Sequence, residues 1–540
     1  MKRTSIAMGI TAVMAAATTL VVAPSAGAAD DDARIPAKYL NQKLSWVDCT
    51  TDGTVQCALM KAPMDWNKAA TSPSIQIAVS KSLPAGSRGT RLVMGNPGGP
   101  GGPGLGMAPM LAAQPGARDH LAVGFDVRGT GASSNLSCLG APTWPWDARD
   151  QRQVTFDKVA AVSKAQQSWC RKGSGALLDY VTTDQTVKDI NLIRAVLGYQ
   201  VTDYVGYSGG TWLGAYYQRY FPTHVGRFVL DSNADFTKPW NVTFGAQAQS
   251  FQRRFEKDFQ PWAATYDAQL GLGKTPAAVN AFYERLRQDL VRRPLVVKDG
   301  GDTIKIDGNV LDGAVGGTMY SKMTFPLLGV LMMIVRQEWD GGRSPATVSL
   351  NQEQSALLAN ASAMQGANRP LSVDAYPSTF TAITCNDWSW PGKQTFADAR
   401  TRQLTKPYPV VGASYNRNAC FYWNRPDVSL KVPDARGIGT TLMVQSEHDP
   451  ATNASLAFDA HANYPGSVLI YVRKEGDHGI YASGNKCVDS KVNRFLATGV
   501  APDGDKTCFG LKLPDLGSRS QSETISVQSQ LAAYAAAIRF

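Results

Sequence analysis

The sequence is poor in the features that mark several large functional classes. No Cys-x-x-Cys pair occurs among its 8 cysteines, and no histidine lies near a cysteine at finger-like spacing, so a zinc site has little basis. Histidine is scarce, with 5 in 540 residues. The formal charge is +10, but the basic residues are dispersed, and the longest local clusters are pairs such as Arg253-Arg254 and Arg292-Arg293. That charge serves solubility, and no nucleic-acid partner is expected. Internal repeats and long low-complexity tracts are absent. With 44% hydrophobic and 18% charged residues the chain reads as globular, long enough for two or three domains with ample core.

Long apolar runs are also few. The first covers residues 6–22, preceded by Lys2 and Arg3 and followed by Pro24 and the small residues Ala26-Gly27-Ala28. This is the three-part layout of a secretory signal peptide over residues 1–28, with residues 29–45 an N-terminal segment or propeptide. The second run, residues 325–335, contains Pro326 and Gly329 and is about half a membrane span, which predicts a buried helix and no stable membrane anchor. In an exported chain an even set of cysteines (Cys49, Cys57, Cys138, Cys170, Cys385, Cys420, Cys487, Cys508) implies disulfides. Neighbour pairing is the simplest of the many connectivities.

What is present is an alternation of short strand-like and helix-like segments, the pattern of a mostly parallel sheet covered by helices. Strands are predicted at 74–80, 91–95, 121–126, 202–207, 227–231, 440–445 and 467–472, with helices at 184–197 and 211–220. The alternation breaks between about 236 and 433, where stretches such as 251–270 and 277–291 look helical. Strands resume afterwards, so the break reads as a largely helical lid inserted between core segments 46–235 and 434–540, above the strand ends where such sheets bind ligands.

The strongest motif is Val205-Gly206-Tyr207-Ser208-Gly209-Gly210, a G-x-S-x-G sequence between a predicted strand and helix. In that context it is a nucleophile elbow, which predicts the α/β-hydrolase fold with Ser208 as nucleophile. A serine hydroxyl needs a base. His120 and His224 fall at the wrong end of the sheet, and His461 lies in a helix-like run, whereas His478 follows strand 467–472 on a loop flanked by Gly476 and Gly479. The fold's chain order of serine, acid and histidine then places the acid after strand 440–445, where Asp449 is preferred, Glu447 competes, and Asp477 is too close to the base in sequence. Oxyanion donors are expected from Gly209 and from Gly98 or Gly99 in the loop Asn96-Pro97-Gly98-Gly99-Pro100; Pro100 has no N–H. This acyl-transfer chemistry requires no metal or organic cofactor.

Together with Gly124-Phe125-Asp126-Val127-Arg128-Gly129-Thr130-Gly131-Ala132-Ser133 and Cys385-Asn386-Asp387, these blocks resemble the secreted tripeptidyl aminopeptidases of actinomycetes, relatives of the prolyl aminopeptidases. Pro97 stands where the prolyl enzymes carry histidine, which points to the tripeptidyl branch. The resemblance implies an extracellular enzyme acting on the free N-termini of peptides or proteins. A substrate ammonium needs carboxylate partners. Asp387 and Asp235 are the candidates, with ordinary capping or surface acids as the alternative. Arg128 reads as a tie between loops.

Overall fold

Strands covered by helices on both sides of a parallel sheet bury residues on both faces and are rich in apolar side chains. The strands β4 (Arg91–Asn96), β6 (Thr202–Tyr207), β7 (Val225–Asp231) and β10 (Thr441–Ser446) show this, with nearly every residue buried toward their C-terminal ends. In the computed structural model, which describes residues 31–299, 302–341 and 373–516, they form the centre of a 10-stranded sheet. The other members are β1 (Val47–Asp48), β2 (Gln56–Pro63), β3 (Ser74–Ser82), β5 (His120–Phe125), β11 (Ser467–Arg473) and β12 (Lys506–Phe509). The order is β1-β2-β3-β5-β4-β6-β7-β10-β11-β12. Pairings are antiparallel from β1 to β5 and parallel from β5 to β12. The expected signal peptide lies outside the described residues.

Alternate side chains of each strand enter different cores, as the period of two requires. Leu92, Met94, Tyr204, Phe228, Leu230 and Met443 pack with helices Thr183–Val196 and Gly209–Tyr220. Val93, Val205, Val229, Leu442 and Val444 pack with Leu111 and with Val488, Val492 and Phe495 of helix Lys486–Thr498. Between β7 and β10 the chain is mainly helical and has a third core of its own, in which Phe255, Phe259, Tyr283, Leu286, Phe325, Leu328 and Met332 meet. The run around Phe325 is a helix, Phe325–Asp340, with buried Phe325, Leu327, Leu328 and Met332. Among the described residues no helix is long and apolar enough to cross a membrane. The insertion also carries a hairpin of β8 (Leu295–Asp299) and β9 (Asp302–Ile306) that the residue pattern did not reveal.

All 8 cysteines pair with their sequence neighbours: Cys49–Cys57, Cys138–Cys170, Cys385–Cys420 and Cys487–Cys508. The last ties helix Lys486–Thr498 to the edge strand β12.

Candidate active site

β6 ends at Tyr207 and helix Gly209–Tyr220 begins two residues later, which forces Ser208 between them into φ 55°, ψ −124°. A non-glycine residue there is strained by about 1–3 kcal/mol and persists only where its surroundings enforce it. Here the Ser208 N–H donates to Asp231 O at 3.0 Å, and the flanking backbones leave no room for side chains. A Cβ on Gly210 would stand 2.6 Å from Asn96 O, and one on Gly98, at φ +93°, 2.2 Å from Tyr207 O. The glycine loop after β4 therefore lies directly on the elbow.

That contact refines the expected oxyanion donors. The Gly98 N–H donates to Asn96 Oδ1 at 2.9 Å and is committed within its own loop. Gly99 N–H has no hydrogen-bond partner among the described residues. Gly209 supplies the first N–H of its helix, one of the four that lack an intrahelical acceptor. Asp126 holds the end of the glycine loop by accepting from Gly104 N and Leu105 N, while its other oxygen accepts from Ala132 N. Arg128 is fully buried and ties Asp189, Pro63 O, Met64 O and Tyr180 O together, a structural knot beside this loop.

Asp449 and His478 meet beyond the ends of β10 and β11. His478 Nδ1 donates to Asp449 at 3.0 Å from Oδ1 and 2.9 Å from Oδ2, and Asp449 Oδ1 also accepts from Ala451 N and Thr452 N. Burial works to raise the Asp449 pKa, but the His478 charge, its hydrogen bond and the backbone donors outweigh it and leave the carboxyl below its ordinary value. Burial likewise works to lower the His478 pKa, and Asp449 more than offsets this, so the imidazole titrates above its ordinary value. Glu447 faces elsewhere and accepts from Lys474 N at 2.7 Å. Asp477 pairs with Arg254 and Lys322.

The remaining histidines have other partners. His120 pairs with Asp203, His224 bonds Gln200 O, His448 pairs with Asp258, and His461 bonds Ser467 and Asp505.

The loop bearing His478 is anchored by two residues that sequence reasoning passed over. Asp231, the last residue of β7, accepts from Ile480 N at 2.8 Å and Tyr481 N at 2.6 Å; burial holds its pKa up at about 6. Ser232, at φ 59°, accepts from Gly479 N at 2.8 Å through Oγ. Because Ser208 N–H also bonds Asp231 O, the end of β7 links the elbow to the His478 loop. The only signal was an acid at the exit of a predicted apolar strand.

The two carboxylates proposed for a substrate ammonium are not open groups. Asp387, fully buried, accepts from Thr183 N, Thr183 Oγ1 and Trp240 Nε1, and so caps helix Thr183–Val196; burial raises its pKa to about 6. Asp235, also fully buried, accepts from Thr237 N and Oγ1 through Oδ1, and the Lys238 ammonium lies 3.1 Å from Oδ2. Both are engaged within the fold and neither is a surface acid. From the insertion, Tyr320 sets its ring edge-on to His478 at 5.3 Å, and Tyr376 approaches within 3.0 Å of where a Cβ on Gly99 would be.

An elbow serine, a buried carboxylate–imidazole pair and helix-capped parallel strands define an α/β-hydrolase. A family model described as "alpha/beta hydrolase fold" matches residues 92–292, and one described as "TAP-like protein" matches 406–508. The chain has the α/β-hydrolase fold and is a serine hydrolase similar to the tripeptidyl aminopeptidases. It is 29% identical over 500 residues to a tripeptidyl aminopeptidase of Streptomyces coelicolor, covering 87% of each chain. It is 25% identical over 503 residues to serine protease Hip1 of Mycobacterium tuberculosis, covering 88% of this chain and 93% of that one. A carboxylesterase B of the same organism is 28% identical over 482 residues, covering 84% and 86%.

Proposed function

We propose that this chain is a secreted serine exopeptidase that releases short peptides, tripeptides, from free N-termini. Ser208, His478 and Asp449 form its catalytic triad, and residues 236–433 its lid. The Asp449–His478 pair carries the reading: a buried carboxylate fixes the imidazole with Nδ1 protonated, so that the other ring nitrogen is left as the base. The serine oxygen bonds to the substrate carbonyl carbon as its proton passes to His478. Gly209 and Gly99 donate N–H groups to the oxyanion, and His478 returns the proton to the departing amine. Water then attacks the acyl-enzyme by the same route in reverse order. Secretion is supported by the leader-like N-terminus and by four disulfides.

Paired chromogenic tripeptide anilides, one with a free amine and one N-blocked, test the specificity. The free form is expected to be cleaved at least about tenfold better, the effect of one lost charged contact. Equal turnover of both would sink the exopeptidase reading. The carboxylesterase relative favours a second reading, an exported esterase using the same triad. Fast turnover of simple acyl esters with no cleavage of either anilide would establish it.

A further inference from the structure

The insertion does more than sit above the triad, because residues 319–322 grip the backbone that leads into His478. Tyr320 O accepts the His478 N–H at 2.9 Å. Two residues on, Lys322 N donates to Asp477 Oδ1 at 2.6 Å, and its ammonium contacts both Glu475 oxygens at 2.6 and 2.5 Å. Arg254 closes the arrangement by donating to Asp477 Oδ1 and Asp258 Oδ2, each at 2.6 Å, and to Met319 O. A Cβ on Gly476 would lie 1.9 Å from the Arg254 Nη1, so the loop is pressed against the guanidinium. The acid's loop is included: His448, next to Asp449, donates its N–H to Glu475 O at 2.8 Å and pairs through its ring with Asp258.

These charges are deeply buried, with Arg254 1%, Lys322 5% and Glu475 4% exposed. Buried ion pairs add little net stability over well-packed apolar side chains, and their best-supported contribution is a single fixed arrangement. What this one fixes is residues 475–477. Residues 479–481 are fixed from the other side by Ser232 and Asp231. His478 lies at the junction, held by the lid before it and by the sheet after it.

We propose that Lys322 is a positioning residue for the general base, acting through Glu475 and Asp477, so that the insertion completes the catalytic geometry. This rests on the assignment of Ser208 and His478 made above. The test compares full-length Lys322→Met, Lys322→Arg and the charge-balanced Lys322→Met/Glu475→Gln with Arg149→Met, which breaks a different lid contact. Melting temperature, the rate of Ser208 labelling by a fluorophosphonate, and kcat and KM are measured for each, well below its melting temperature. Lys322→Met is expected to lose about 100-fold in labelling rate and kcat, the effect of displacing a reacting group by about 1 Å, with KM nearly unchanged. Lys322→Arg should recover most of the loss, and Arg149→Met should label at the parent rate despite a lower melting temperature. Should Lys322→Met fail to fold, the double variant decides, because it leaves no unpaired lysine or glutamate. Normal labelling of the folded lysine variants overturns the positioning role alone, whereas a parent protein that does not label overturns the assignment of Ser208 as well.

Discussion

Two buried ionic junctions fasten the insertion to the sheet domain, and they end in different places. In the first, Arg149 donates to Glu284, Tyr283 and Asp312, while Arg287 bridges Asp312 and Asp147. It joins the loop before helix Gln153–Ser174 to insertion helices Pro276–Arg292 and Gly308–Thr318, and none of Ser208, Asp449 and His478 takes part. In the second, Arg254 and Lys322 reach Asp477 and Glu475, directly before His478. Similar chemistry thus serves attachment at one junction and, on the proposal above, catalytic geometry at the other. On that proposal the two roles of the insertion should be separable by mutation.

The reacting groups set the upper limit against which either junction is judged. Ser208→Ala should abolish turnover, a loss of about 10⁶-fold in kcat, without lowering the melting temperature, since it removes no buried hydrogen bond of the fold. Asp449→Asn should cost about 10⁴-fold by favouring the wrong imidazole tautomer. A loss at Lys322 approaching either value would mean that the second junction acts on the chemistry directly, which would break the distinction drawn here.

The pH profile sharpens it. His478 must be neutral to act as base, so kcat/KM should fall as pH drops through a pKa above the ordinary 6.5. In Asp449→Asn this acid limb should move to lower pH. The stability linkage has opposite signs for the two partners. The raised His478 pKa contributes stability fully present below about 6.5 and lost as pH rises through the folded value; the lowered Asp449 pKa contributes stability present above about 3.8 and lost as pH falls through its folded value. Thermal melts across these two ranges check both signs.

At the first junction Arg149→Met should lower stability by about 1–3 kcal/mol, because Asp312 and the partly exposed Glu284 lose charged hydrogen bonds while Arg287 still pairs Asp312, and leave kcat within about threefold. Denaturant melts with parallel assays measure both. The smallest effect belongs to Glu447→Gln, expected within about twofold in kcat/KM because its carboxylate serves Lys474 N rather than His478.

The same contrast explains what could be read from the residues. β6 and its elbow were legible because an apolar run, a glycine-flanked serine and a helical pattern are all local. Strand β2 and the edge strand β12 were missed; β2 ends in proline and includes an exposed lysine, and β12 buries one of its four residues. Asp449 could be preferred over Glu447 from the residues, but choosing Gly99 over Gly98 requires N–H directions that only tertiary packing determines. Asp235 was plausible for following a strand exit and Asp387 for lying in the insertion, but in the fold they bond to Thr237, Lys238 and Thr183. Lys322 and Arg254 gave no signal at all, since their partners lie 153 and 223 residues away in the chain. Neighbour pairing of the cysteines succeeded because each pair closes a short local loop.

The most direct test of the central claim is to treat the folded protein with a fluorophosphonate and map the adduct by peptide mass spectrometry. The account predicts a single adduct on Ser208, formed at least about 100-fold more slowly in His478→Ala. An adduct on another serine, or a Ser208 adduct formed at the same rate without His478, would contradict it.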